Sequence, residues 1–243
     1  MNLRSLASSF MISAVTLFGA GCKVVPAKPE PAAQRPDQVS NFAALYQQNC
    51  AACHGEQGKY GVAISLANPV YLAVAGTDMI QKAIANGVPG TLMPAFAKSQ
   101  GGMLTDQQIT ILAQGVEAAW AKPAALQGQS VPAYASSSPG DPAQGQQAFT
   151  TFCASCHGSD GTGLKRKDNS TGSLVDPAYL ALVSDQGLRS LIIAGQPEDG
   201  MPDWRSDMTG PGSRAITDKE ITDIVAWLAS HRVAAPGQPY VHP

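Results

Sequence analysis

Apolar residues recur at helical spacing near the ends of two stretches of this 243-residue chain. Ile109, Leu112 and Val116 fall on one face of a helix, as do Ile221, Ile224, Val225 and Leu228. Each run follows a threonine with Gln or Glu three residues on, Thr105 with Gln108 and Thr217 with Glu220. In that arrangement the hydroxyl accepts from a first-turn N–H while the Gln or Glu side chain reaches back to the threonine N–H. Shorter helices are expected over about 41–50 and 143–153. No segment alternates apolar and polar residues as a half-buried strand requires, so the fold class read from the pattern is all-α.

Leu6 to Gly21, after the positive Arg4, is a moderately apolar stretch, too short and too rich in Ser and Ala for a membrane span. It ends in small residues, Ala20 and Gly21, before Cys22. This resembles a bacterial lipoprotein signal, which implies a signal peptide over 1–21 and lipidation of Cys22, a membrane anchor of several acyl chains. Residues 22–40 are rich in Pro, Ala and charge and read as a tether. Residues 123–142 read as a linker between folded units at 41–122 and 143–234, with a tail at 235–243.

The two units repeat each other. Ser65-Leu66-Ala67-Asn68-Pro69-Val70-Tyr71-Leu72 matches Ser173-Leu174-Val175-Asp176-Pro177-Ala178-Tyr179-Leu180 at an offset of 108. That offset also carries Ile84 to Ile192, Gly87 to Gly195, Pro89 to Pro197, Met93-Pro94 to Met201-Pro202 and Phe96 to Trp204.

Each unit opens with a five-residue word, Cys50-Ala51-Ala52-Cys53-His54 and Cys153-Ala154-Ser155-Cys156-His157. Cys-x-x-Cys-His attaches a c-type haem: two thiols add to the vinyl groups of one porphyrin and the histidine takes the iron. A zinc ribbon would separate its cysteine pairs by roughly 15–20 residues, whereas these words start 103 residues apart and each has its own histidine. A dithiol redox site or structural disulfides would leave both histidines unexplained. Aromatic residues are only 6% of the chain, and two buried cofactors would supply the missing apolar bulk. A net charge of −2 argues against nucleic acid as partner. The offset between the words is five short of 108, so the second unit has five extra residues after His157, including Lys165-Arg166-Lys167, expected as a surface loop.

With its words, repeats and terminal helices, each unit resembles a class I cytochrome c. In that family an N-terminal helix leads into the haem word, a loop brings a methionine to the far side of the iron, and a C-terminal helix crosses the first. The resemblance implies two tandem domains, each wrapped around one covalent haem c. It implies Cys50, Cys53, Cys153 and Cys156 as attachment residues and His54 and His157 as proximal iron ligands. Met93 and Met201, 39 and 44 residues after those histidines, are the distal ligands expected. Met79 is expected to be a core gap-filler, and His231 and His242 solvated surface residues. Phe96 and Trp204 are expected near the haem edges, with Trp204 or Arg205 within reach of a propionate.

At the helix crossing the family carries a Gly and an aromatic eight and four positions before the first cysteine. The second unit has Gly145 and Phe149; the first has Phe42 and Tyr46. Ten residues beyond the capping threonines stand Gly115 and Trp227. A large–small pair, Phe42 with Gly115, is therefore expected to replace a small–large pair, Gly145 with Trp227.

Charge is uneven. The first unit holds four basic and four acidic residues, while Asp141 to Arg232 holds eight basic and twelve acidic. Glu198, Asp199, Asp203 and Asp207 cluster around Met201 and read first as a solvated loop, with a docking face for a basic partner as the alternative. The resemblance implies an electron-transfer protein rather than an enzyme, a membrane-tethered relay on the periplasmic side of the respiratory chain. Its expected partners are redox proteins of a quinol-oxidising complex or terminal oxidase. A di-haem peroxidase with one open haem, or the haem subunit of a periplasmic dehydrogenase, are the alternatives.

Overall fold

The computed structural model describes residues 34–167, 170–205 and 214–233. Cys22, the signal segment, most of the tether, Asp207, Met208 and His242 lie outside them. Residues from Arg35 onward form one compact unit. Helices α1 (Phe42–Asn49), α2 (Ala51–His54), α3 (Pro69–Asn86) and α4 (Asp106–Trp120) make the first repeat. The second comprises α5 (Pro142–Phe152), α6 (Ala154–His157), α7 (Pro177–Leu182), α8 (Asp185–Ala194) and α9 (Asp218–Ala229). There is no strand among the described residues, only two isolated bridges, Ala97 to Leu104 and Gln196 to Met201.

Local chemistry sets the boundaries of these helices. Both capping boxes form in full, with Thr105 and Gln108 starting α4 and Thr217 and Glu220 starting α9. Asn68 and Asp176 cap α3 and α7, each followed by a proline that needs no N–H donor there. At Gly76 the backbone turns to φ 69° and kinks α3. The repeat carries Gly76 to Ser184, and there the helix breaks completely, with Ser184 capping α8 through Gly187 N. The same bend is thus made once by a flexible residue and once by a new cap.

In each repeat the first and last helices cross, α1 on α4 and α5 on α9. A β-carbon added to Gly115 would lie 2.1 Å from Cδ2 of Phe42, so the phenyl ring occupies the space the glycine leaves. A β-carbon on Gly145 would lie 2.0 Å from the Asp223 carbonyl oxygen and 2.9 Å from Trp227 Cβ. The first crossing is therefore a ring in a notch, and the second is helix backbone against helix backbone. The expected partners thus meet, Gly115 at the Phe42 ring and Gly145 at the Trp227 Cβ. Trp227 stacks on Phe149 with centroids 4.4 Å apart, and Trp120 packs on Phe42 and Tyr46.

The segments between folded units are tied down. Gln108 Nε2 donates to the carbonyls of Pro36 and Val39, docking the end of the expected tether. The buried Arg189 of α8 donates to the linker's Ala133 carbonyl and to Thr222 Oγ1 and pairs with Asp218. Gln186 Nε2 donates to the Tyr134 carbonyl. A buried guanidinium needs such a full set of acceptors, so the linker is a strap laid over α8 and α9.

The repeats meet where α3 faces α8. Asn68 is 3% exposed. Its Oδ1 accepts from Val70 N and Tyr71 N, and its Nδ2 donates to the carbonyls of Ala194 and Gly195 in the other repeat. One amide thereby satisfies first-turn donors of α3 and last-turn acceptors of α8. Asp176, its counterpart, has no donor to give and caps only its own helix.

Candidate functional site

Each word folds the same way. The first cysteine ends one helix and opens a single turn, α2 or α6, that carries the histidine. Cys53 N and His54 N donate to the Cys50 carbonyl at 3.1 and 3.0 Å; Cys156 N and His157 N donate to the Cys153 carbonyl at 3.1 and 2.9 Å. All four cysteines are free thiols, the first of each pair partly buried and the second exposed. Burial and the neighbouring Cys53 push the Cys50 thiol up to about 11; burial and Cys156 push Cys153 up to about 12. Both words thus carry two cysteines on one turn at the spacing that thioether attachment requires.

The histidines differ. His54 is buried, and its Nδ1–H donates to the Ile64 carbonyl at 2.8 Å, leaving Nε2 for a metal. Burial lowers its pKa against the opposing pull of that hydrogen bond. His157 is half-buried, with a pKa also lowered by burial. Both rings are therefore neutral at pH 7 and able to ligate. His157 Nδ1 is buried without a hydrogen-bond partner. A neutral nitrogen donor on each word, behind two thiols at the attachment spacing, fits a covalent haem.

The methionine loops are built alike. Met93 and Met201 are both half-buried, and each offers its carbonyl to the chain leaving the preceding helix, Val88 N to Met93 O at 3.1 Å and Gln196 N to Met201 O at 2.9 Å. Gly87 and Gly195 end those helices with φ near 70°. A β-carbon there would come within 2.8 Å of backbone in Met93, Pro94 and Ala95, or in Pro202 and Asp203. Only glycine lets the loop cross the helix end so closely. Met201 also lines an open cavity of about 530 Å³ between the repeats, walled in part by Asn68, Val70, Ala194 and Arg205.

Several expectations need correction. Met79 is 37% exposed on α3, so it fills no core gap. His231 is half-buried rather than solvated: its ring stands edge-on to Trp227 and its Nδ1 lies 2.9 Å from the Trp227 carbonyl. Asp203 does not project free charge around Met201, because Arg205 pairs with it. Arg205 also lies over the ring of the buried Trp204 and donates to the Ala125 carbonyl. Lys165, Arg166 and Lys167 are exposed, as expected of a surface loop; beside them Arg166 donates to the Ser155 carbonyl and Thr171 Oγ1 to that of Cys156. No described helix is long and apolar enough to cross a membrane.

Comparison with known proteins follows the same division. A family model described as cytochrome c oxidase, cbb3-type, subunit III matches residues 37–114, and one described as cytochrome c matches residues 142–232. The Cbb3-type cytochrome c oxidase subunit FixP of Sinorhizobium medicae is 29% identical over 183 residues, covering 71% of this chain and 56% of that protein. The subunit CcoP of an Azospirillum species is 31% identical over 131 residues, 49% and 39% of the two chains. CcoP of Cereibacter sphaeroides is 26% identical over 183 residues, 72% and 57%. The chain spans about half the length of the curated relatives it matches.

Proposed function

Since the chain belongs to the di-haem class I cytochromes c, with two tandem domains that each bind one covalent haem c, we propose that it relays single electrons and that both irons are held between histidine and methionine. Cys50 and Cys53, with Cys153 and Cys156, carry the thioether bonds. His54 and His157 give the proximal nitrogens, Met93 and Met201 the distal sulfurs. The haem iron supplies the one-electron chemistry; the chain fixes its ligands, excludes water and sets its potential.

One observation carries this reading. Both methionines sit on loops of matching construction, crossing a glycine at the end of the preceding helix. A peroxidase needs one iron with an open or labile distal side, and two alike loops favour two closed ones. The partner in this reading is a respiratory membrane complex, a terminal oxidase of the kind the relatives belong to. A lipid on Cys22 would hold the chain to the periplasmic face of the membrane. The domains run 41–122 and 143–234.

Absorbance of the ferric protein tests the ligation. Two methionine-bound haems give the weak far-red band at twice the intensity per chain of one. Met93→Ala and Met201→Ala are each expected to remove half. A band of half intensity in the unaltered protein would favour the peroxidase. A Cys22→Ser variant that stays with the membrane would overturn the lipid anchor.

A further inference from the structure

Two words of the same pattern end in histidines whose rings are held differently. Eleven residues lead from His54 to Ser65, sixteen from His157 to Ser173. In the first repeat the short path brings the carbonyl of Ile64, just before Ser65, to His54 Nδ1 at 2.8 Å. In the second, the longer path is drawn back onto the word itself. Thr171 Oγ1 donates to Cys156 O, Arg166 to Ser155 O and Gly163 N to His157 O. Those bonds end on the main chain of the word, and His157 Nδ1 is buried and unpartnered.

A ring N–H that donates to a carbonyl makes the opposite nitrogen more basic and a stronger metal donor. A stronger donor favours ferric iron and lowers the potential. We propose that this one hydrogen bond sets the two haems apart: His54 makes the N-terminal haem the electron-giving site, and His157 makes the C-terminal haem the electron-holding site. The inference rests on the His/Met ligation proposed above. The acidic excess of the second repeat acts in the opposite sense. The excess of four carboxylates is the same with five of them ion-paired, but surface charge is screened over about 8 Å at physiological salt. The hydrogen bond acts on the ligand ring itself. Outer-shell partners of metal-bound histidines change affinity by roughly 10- to 100-fold. A tenfold preference between the two iron states separates the haems by about 59 mV.

The test uses the full holoprotein. Met93→Ala and Met201→Ala each open one ferrous iron to five-coordination, where resonance Raman reads the iron–histidine stretch. The stretch at His157 is expected below that at His54. Deleting residues 165–169, which restores the eleven-residue path, is expected to raise it to the His54 value. In a redox titration of the unaltered chain the C-terminal haem is expected to be reduced first. Equal stretches, or an N-terminal haem reduced first, overturn the inference. If neither methionine variant yields a five-coordinate iron, the ligation reading fails instead. Proton NMR of the reduced native protein then decides the inference, with the His54 Nδ1 proton expected well downfield of that of His157 and coincident shifts overturning it.

Discussion

The first domain locks its helix crossing with a side chain, the second with backbone. Phe42 fills the notch at Gly115, while Gly145 lets α5 rest on the Asp223 carbonyl of α9. Each domain nonetheless puts an indole in the same place. A β-carbon on Gly58 would touch the ring of Trp120, and one on Gly161, its counterpart 103 residues on, would touch that of Trp227. Trp120 stands fifteen residues after its capping threonine and Trp227 ten. Packing has therefore conserved where the ring lies and not which helical position supplies it. What a repeat must keep is a filled volume beside the word.

That contrast predicts the largest effect. Gly145→Ala drives a methyl into main chain that cannot rotate away, and is expected to cost about 3 kcal/mol despite the better helix propensity of alanine. Gly115→Ala meets only a ring, costs about 2 kcal/mol alone, and is expected to regain most of that when combined with Phe42→Leu. Denaturant unfolding of the holoprotein measures both. A cost of Gly145→Ala no larger than that of Gly115→Ala would show that the second crossing yields as a side chain does, and the contrast would fail.

The interface gives the next effect. Asn68→Asp removes two donors from buried carbonyls at the C-terminus of α8 and puts negative charge at the negative end of that helix. A loss of about 2 kcal/mol is expected, together with a split of thermal unfolding into two transitions as the repeats uncouple. Asp176→Asn, at the matching position, is expected to change stability by less than about 0.5 kcal/mol. Equal effects from both would mean that the bridge contributes nothing across the interface.

What could be read from residue order was what residue order alone determines. Caps, words and the glycines before the methionine loops depend on near neighbours or on the repeat, and the Phe42–Gly115 pair followed from the family resemblance at the helix crossing. The Asn68 bridge spans 126 residues, although the Asn-for-Asp difference between the repeats was visible and only Asn can donate. Trp120 was missed because alignment on the capping threonines places no aromatic there. The five inserted residues read as an ordinary surface loop. Nothing local reveals that Arg166 and Thr171 bind the word while His157 Nδ1 is left without a partner. Burial of Arg189 was equally hidden, because its acceptors come from a linker whose composition resembles that of a free one.

The smallest effect separates the two capping boxes by acid. Hydrogen bonds from Arg214, with further bonds from Thr217, hold the Glu220 carboxyl down to about 2. A carboxyl depressed in the folded state stabilises it above the unfolded pKa of about 4.3, and that contribution is lost as pH falls toward about 2. Gln108 fills the same role in the first domain and does not titrate. Between pH 5 and 2 the cap of the second domain should therefore weaken while that of the first does not. Arg214 is half exposed and Glu220 partly so, and water screens the pair, so Glu220→Gln is expected to move the acid midpoint of the second domain by only roughly half a pH unit. It should leave the first domain's midpoint where it was. Proton NMR of the reduced protein across that range, with the ring-current-shifted methyl of each iron-bound methionine reporting its own domain, checks the expectation. Equal movement of both midpoints would mean that acid acts through the shared interface rather than through this one cap.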